Sequence, residues 1–442
     1  MKKILVIGAG LSSSYLIKYL LDHSKEQQWN ITIADSDRSI AEEKVAGHSN
    51  GKAIEININD ESKRKDLIQN HDLIISMLPA SMHIQIAKDC LLFKRHLITA
   101  SYISPEMHLL NTDAYKSGLL FLNECGLDPG IDHLSAMKII SQIKQMGGNI
   151  KSFKSFCGGL VSPEFDDNPW NYKFTWNPRN VILAGQATAR YLENGELKFI
   201  PPSRIFSQTE NLSIAGYGDF ECYANRDSLS YIQPYGIGNA TTVLRGTLRR
   251  KGYSKNWNQL IKLGLTDDTF LIHHADKLSY REFVSAFTPG HEIANLENRV
   301  CDFLDIRIDS DTFIKLKWLG LFSDEKITLN EASPAQILQN LLQQKWKLQS
   351  GELDMIVMQH QLTFESDNGL KHITSSLVVK GEDQTLTAMA KTVGLPMAIA
   401  AKLLLGNQIK ARGVIMPITK EFYEPILNEL KNYGVGFIES VK

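Results

Sequence analysis

An α/β fold, built on a doubly wound parallel sheet, is predicted by three features of the sequence. The chain opens on a short apolar run, Ile4-Leu5-Val6-Ile7, that passes through glycines into a helical pattern. A second strand pattern, Asn30 to Ala34, follows one helix later and ends on the acidic Asp35. Strand and helix patterns then alternate over about 120 residues, as parallel β-α-β units do.

Taken in order, the first run is uncharged and β-branched, which suits a strand buried on both faces. Gly8 permits a tight turn and Gly10 lets backbone approach a phosphate; Leu11, Ser12 and Ser13 then open a helix whose unpaired N–H groups attract an anion. Ser13 stands where a third glycine is usual, so close packing there must be managed another way. Asp35 is placed to accept hydrogen bonds from a ribose 2′-hydroxyl, which favours NAD slightly over NADP. Arg38 points the other way, because a guanidinium recruits a 2′-phosphate; the plainer reading is a solvated residue at a helix start. The third strand runs from His71 to Leu78 and stops at Pro79, putting Ser76, Met77, Leu78 and Pro79 at the carboxyl edge of the sheet. Leu97 to Ala100 and Leu119 to Leu122 read as further strands. A Rossmann-type dinucleotide site explains this ensemble best.

At 442 residues the chain is too long for one ordinary core, so two or three domains are expected. Lysine and arginine number 48 against 49 acidic residues, a balance that gives no reason to expect nucleic acid or an anionic membrane as partner. No run is read as approaching the ~18 apolar residues a bilayer span needs. Met1-Lys2-Lys3 enters a strand directly, without a signal-peptide pattern, and the five cysteines are scattered, with neither metal nor disulfide spacing. A cytoplasmic protein without a catalytic metal is expected.

After the first sheet, Asn123 to Gly130 punctuates a sheet edge with glycine and proline and leads to a helix from about Ile131 to Met146, ended by Gly147-Gly148. From 150 to 250 strand-like runs alternate with proline-interrupted loops. From 255 to 346 the pattern is mainly helical and reads as an insert. Strands resume at Met355 and Ile373, a helix follows from Pro396, and a terminal helix-plus-strand unit, Glu421 to Glu439, is expected to return to the first sheet. The predicted division is 1–128 with 396–442 (dinucleotide domain), 129–252 with 347–395 (α/β substrate and dimerisation domain), and 253–346 (helical insert).

Five segments carry more than a generic dehydrogenase pattern: Ile75-Ser-Met-Leu-Pro79 with His83; Thr99-Ala-Ser-Tyr-Ile-Ser-Pro105; Glu124-Cys-Gly-Leu-Asp-Pro-Gly-Ile-Asp-His133; Asn225-Arg-Asp-Ser228 with Leu244-Arg-Gly-Thr-Leu-Arg249; and Thr392 to Lys402. In order and spacing this set resembles the glutamate-forming saccharopine dehydrogenase family, also called saccharopine reductase, over essentially the whole chain. The resemblance implies NAD(P)-dependent oxidation of the secondary amine of saccharopine to an imine, hydrolysed to glutamate and 2-aminoadipate 6-semialdehyde, or the reverse condensation. It also implies a homodimer.

By the same resemblance Ser101 and Tyr102 touch substrate and cofactor, while Leu127, Asp128, Pro129 and Trp176 lie against the cofactor. Arg226, Thr247, Leu248 and Arg249 would hold the substrate. A tricarboxylate suits arginines, whose planar fork offers paired donors. Proton transfer falls to Asp128, Cys157 or Tyr102. His133 is a rival base by its ordinary pKa, but its place at a helix start favours a structural role. His83 is read as lining the cofactor cleft at most. The rival enzyme reading is reductive condensation in polyamine synthesis, of the homospermidine or carboxynorspermidine type, whose cationic substrates would not ask for arginines. A protein of the same fold that binds the nucleotide without turnover is the non-enzymatic alternative.

Overall fold

The computed structural model describes residues 1–367 and 369–442. In chain order the strands are β1 (Lys2–Ile7), β2 (Trp29–Asp35), β3 (Gly51–Glu55), β4 (Leu73–Ser76), β5 (His96–Thr99) and β6 (Leu120–Leu122). They are followed by β7 (Asn149–Val161), β8 (Ala189–Glu193), β9 (Glu196–Ile200), β10 (Thr209–Ile214), β11 (Gly218–Ala224), β12 (Thr242–Arg250), β13 (Ile272–His273) and β14 (Glu331–Ala332). The last four are β15 (Asp354–Ser366), β16 (Gly369–Lys380), β17 (Gly413–Ile415) and β18 (Ile438–Val441).

The chain divides into two compact units. The first comprises residues 1–150, 234–236 and 353–442. Its sheet runs β17-β6-β5-β4-β1-β2-β3, parallel at every junction. The β-branched run that predicted a doubly buried strand is one: Ile4, Leu5, Val6 and Ile7 are all buried. Leu5 and Ile7 join Ile74, Leu97 and Phe121 in the core on one face. Strand order reverses between β1 and β4, and ligands bind outside the carboxyl ends of strands at such a switch point. The turns after Ile7 and Ser76 therefore occupy the productive edge.

Two sequence expectations need correction. The strand that returns to the first sheet is β17, paired with β6 through Gly413 and Leu120, and not the unit from Glu421 to Glu439. The final strand, β18, instead pairs antiparallel with β16, which pairs antiparallel with β15. Second, a helix of sufficient length and hydropathy to span a bilayer does occur, Ala388–Leu405, and most of it is buried within the protein. Its lysines and threonine hid it from a search for unbroken apolar runs. It packs on the helix Ser14–His23 so closely that a Cβ at Gly394 would stand 2.7 Å from the Leu16 nitrogen. Gly394 thus supplies close packing that the glycine turn, with Ser13 in third place, does not.

The second unit comprises residues 151–233 and 237–352. Here β12 pairs antiparallel with β11 and parallel with β7, giving a mixed sheet that continues from β11 to β10, with the β8–β9 hairpin alongside. The helical stretch expected at 253–346 is present, including Tyr253–Lys262, Leu296–Leu304 and Pro334–Lys345, but it falls within this unit and not in a third one. Aromatic packing gives the reason: Trp257 and Tyr253 from the helices stack 5.7 Å apart, and Trp170, Tyr172 and Trp346 close around them. The boundaries also differ around 129–150 and 353–395, which belong to the first unit.

Candidate active site

The glycine turn leaves β1 with Gly8 at φ +99°, a conformation that a side chain resists, and a Cβ there would meet the Met77 carbonyl oxygen at 3.1 Å. Gly8 N–H donates to Ala34 and Met77 N–H to Ile7, so the β1 and β4 turns lie side by side. A Cβ at Gly10 would meet nothing within 4 Å, which leaves that face of the turn open. Ser13 is fully buried, and its hydroxyl donates back to the Gly10 carbonyl at 2.7 Å. Leu11 is exposed beside the half-buried Ser12. Backbone that must approach a pyrophosphate, an open glycine face and a helix start at a sheet switch point fit a dinucleotide.

Asp35 does something other than expected. Its Oδ2 accepts from Ala9 N–H at 2.6 Å, inside the glycine turn, and its Oδ1 accepts from Asp37 N–H at 3.0 Å. The carboxylate braces the loop, so it is a poor argument for NAD. Arg38 makes an exposed pair with Glu42 at 2.7 Å.

Behind the β4 and β5 ends, His83 gathers three hydroxyls: Ser76 at 2.9 Å on Nδ1, and Ser101 at 2.8 Å and Thr99 at 3.1 Å on Nε2. Burial pushes its imidazole down to about 4, so it is neutral at ordinary pH. Its role is thus more than lining a cleft, because it fixes the hydroxyl of Ser101. Next to Ser101, the Tyr102 hydroxyl donates to Asp128 Oδ1 across 3.5 Å. Two of the three proton-transfer candidates therefore meet at the sheet edge. Leu127 and Pro129 flank Asp128 and are buried. Met77, Leu78 and Pro79 follow Ser76 on the β4 turn, where the sequence put them.

His133 is excluded as a base toward substrate. It is fully buried, with Nε2 2.9 Å from Glu124 Oε2 and Nδ1 2.5 Å from the Tyr235 hydroxyl. Sequence reasoning quoted Glu124 within a motif without giving it a role and passed over Tyr235; the signal for Glu124 was a charged residue two positions beyond an apolar strand end.

In the second unit, Cys157 of β7 stands in register with Thr247 of β12, and Asn225 Nδ2 donates to the Thr247 hydroxyl at 3.3 Å. Cys157 and Leu248 are buried, Thr247 and Trp176 are half-buried, and Arg226 is exposed with φ +41°. A non-glycine residue is strained at such a φ, and strain of this kind is commonest at functional sites. Arg249 is almost wholly buried, its guanidinium 5.2, 5.9 and 5.5 Å from the rings of Tyr172, Tyr223 and Tyr253. Nη1 donates to the Leu248 carbonyl at 2.8 Å, whereas Nε has no hydrogen-bond partner among the described residues. A buried cation held by ring faces and not by a carboxylate keeps its attraction for an anion. The tyrosines of this cage were not read from sequence, although aromatic density from Trp170 to Trp176 was a usable signal.

A glycine-turn dinucleotide site, with hydroxyls and a carboxylate at the carboxyl edge of its sheet, defines the class: nicotinamide-dependent oxidoreductases. Residues 4–122 match the family described as "Saccharopine dehydrogenase NADP binding domain", and residues 126–435 match "Saccharopine dehydrogenase C-terminal domain". The chain belongs to the saccharopine dehydrogenase family. Among curated relatives, "Saccharopine dehydrogenase [NADP(+), L-glutamate-forming]" of Schizosaccharomyces pombe is 34% identical, covering 100% of this chain and 99% of its own. The mitochondrial alpha-aminoadipic semialdehyde synthase of Mus musculus is 36% identical over 99% of this chain, which spans 47% of that protein. The solved structure of apo saccharopine dehydrogenase (L-Glu forming) from Saccharomyces cerevisiae superimposes with a TM-score of 0.89 at 32% identity, covering 100% of both chains. Homospermidine synthase from Legionella pneumophila, covering 99% of this chain and 91% of its own, shares the fold at a TM-score of 0.57 and 11% identity.

Proposed function

We propose that this chain is an NADP-dependent, glutamate-forming saccharopine dehydrogenase. The observation that carries the reading is the Tyr102–Asp128 pair at the carboxyl edge of the dinucleotide sheet, together with full-length similarity to relatives named for this reaction. A nicotinamide held at the glycine turn would supply the acceptor for the hydride on the substrate carbon beside the secondary amine. Gly10, Leu11 and Ser12 would hold its phosphates. Gly8, whose N–H donates to Ala34, shapes the turn. Ser13, expected among the phosphate holders, is instead buried with its N–H and hydroxyl both donated to the Gly10 carbonyl. Asp128 Oδ1 takes the proton from the amine nitrogen as the hydride leaves and passes it to solvent. It then takes a proton from the water that adds to the imine and returns it to the nitrogen, which gains the remaining hydroxyl proton as the C–N bond breaks and the carbonyl forms. Tyr102 donates to that same Asp128 oxygen. Ser101, fixed by neutral His83, offers a hydroxyl in a constant orientation. Arg226 and Arg249 take the carboxylates. Cys157 is the reserve proton donor beside Thr247.

NADP is favoured over NAD because both oxygens of Asp35 are engaged on backbone. An exposed i,i+4 pair such as Arg38–Glu42 holds its arginine by ~0.5 kcal/mol, little enough for a 2′-phosphate to recruit it. Steady-state turnover of saccharopine with each nucleotide, followed at the nicotinamide absorbance band, tests the reading. Reduction of NADP with at least tenfold higher kcat/KM than NAD is expected. No reduction of either nucleotide overturns it, and turnover of a carboxylated polyamine in place of saccharopine moves the chain to the rival enzyme class.

A further inference from the structure

We propose that Glu124 is a positioning residue for this reaction, acting through Tyr102. The inference rests on the proposed dehydrogenase chemistry. Both peptide groups that flank Tyr102 are bonded to this one residue. Glu124 N–H donates to the Ser101 carbonyl at 3.0 Å, and Ile103 N–H donates to Glu124 Oε1 at 3.1 Å. The tyrosine's backbone is thus clamped on each side, which fixes the point from which its side chain projects. The second carboxylate oxygen, Oε2, meets His133 Nε2 at 2.9 Å in the first turn of the helix Ile131–Gln145. That helix begins directly after the turn carrying Asp128. His133 is held in turn by the Tyr235 hydroxyl. One carboxylate therefore ties the strip bearing Tyr102 to the element that follows Asp128.

Glu124 does not reach substrate itself. It is 4% exposed, and each carboxylate oxygen already faces a partner inside the protein. Packing alone would be met by an apolar side chain, without the desolvation that a buried carboxylate suffers. Its backbone is also held at φ +54°, a left-handed conformation that costs a residue with a side chain. A buried charge on a strained backbone is a poor filler. It is understandable as a clamp, because a donor in a catalytic site loses efficiency when its orientation is loose.

The test is a double-mutant cycle with Tyr102→Phe. Glu124→Ala removes the clamp and Glu124→Asp withdraws it by one methylene, so either suffices if the other fails to fold. Glu124→Gln keeps an acceptor for Ile103 N–H. In the native background, alanine and aspartate are expected to lower kcat/KM for saccharopine at least tenfold. The dissociation constant for NADPH, by fluorescence titration, should stay within twofold, and glutamine should stay within threefold of the parent. In the Tyr102→Phe background the same two changes should cost less than a further threefold. Equal losses in both backgrounds, a glutamine variant as poor as alanine, or weakened NADPH binding would overturn the proposal. Failure of the parent enzyme to turn over saccharopine would sink the functional reading instead, before any variant is compared.

Discussion

Acidification should weaken the first unit through His83, by an amount the structure sets. In the unfolded chain this imidazole titrates near 6.5, and in the folded protein burial holds it near 4. A group whose folded pKa is depressed contributes stability that is complete above the unfolded value and drains as pH falls toward the folded one. Linkage with these two values gives a loss of about 2 kcal/mol between pH 7 and pH 5, or about 20-fold in an opening equilibrium. His96, also held down to about 4 by burial, contributes with the same sign. Asp354, raised to about 6 by burial, contributes with the opposite sign, its stability present at low pH and lost as pH rises through about 6. Both remain in a His83→Gln variant, so the difference between parent and variant isolates His83. Amide hydrogen exchange, corrected for intrinsic rates, should be followed at residues 73–83 and 96–101. Protection in the parent should fall about 20-fold further than in the variant. An equal fall in both proteins would refute the buried neutral imidazole and with it the fixed Ser101 hydroxyl.

Three further outcomes are expected. Arg226→Ala should raise the KM for saccharopine at least tenfold and leave nucleotide affinity alone; an unchanged KM removes Arg226 from the site. Asp35→Ala removes a charged acceptor from Ala9 N–H, about 1.5–3 kcal/mol of local bonding, and should weaken NAD and NADP by the same factor in equilibrium titrations. A loss confined to NAD would return Asp35 to the ribose. Gly394→Ala would press a methyl against the Leu16 nitrogen, and calorimetry should show a destabilisation of about 1–3 kcal/mol.

The first sheet was legible because its strands are short apolar runs punctuated by glycine and proline, and the same punctuation placed Ser76–Pro79 and the Asp128 turn. The edge strand β17 was not, since three residues are too few to show a period. Asp35 was read correctly as a strand-end carboxylate and wrongly as a free one, because spacing reveals position but not which N–H comes within 2.6 Å. Motif likeness marked Arg249 but could not supply Tyr172, Tyr223 and Tyr253, which come from distant parts of the second unit. Glu124 and His133 sat inside a quoted motif, yet the bond from His133 to Tyr235 spans 102 residues and only the fold brings it about.

Pairing β17 with β6 joins residues 413–415 to residues 120–122, which has a consequence during synthesis. A ribosome delivers the chain from its N-terminus, so β6 leaves the exit tunnel long before its outer neighbour exists. For that interval it presents an unpaired border, the kind that recruits strands from other nascent chains. A chain stalled before residue 413 should therefore aggregate more than the released full-length chain.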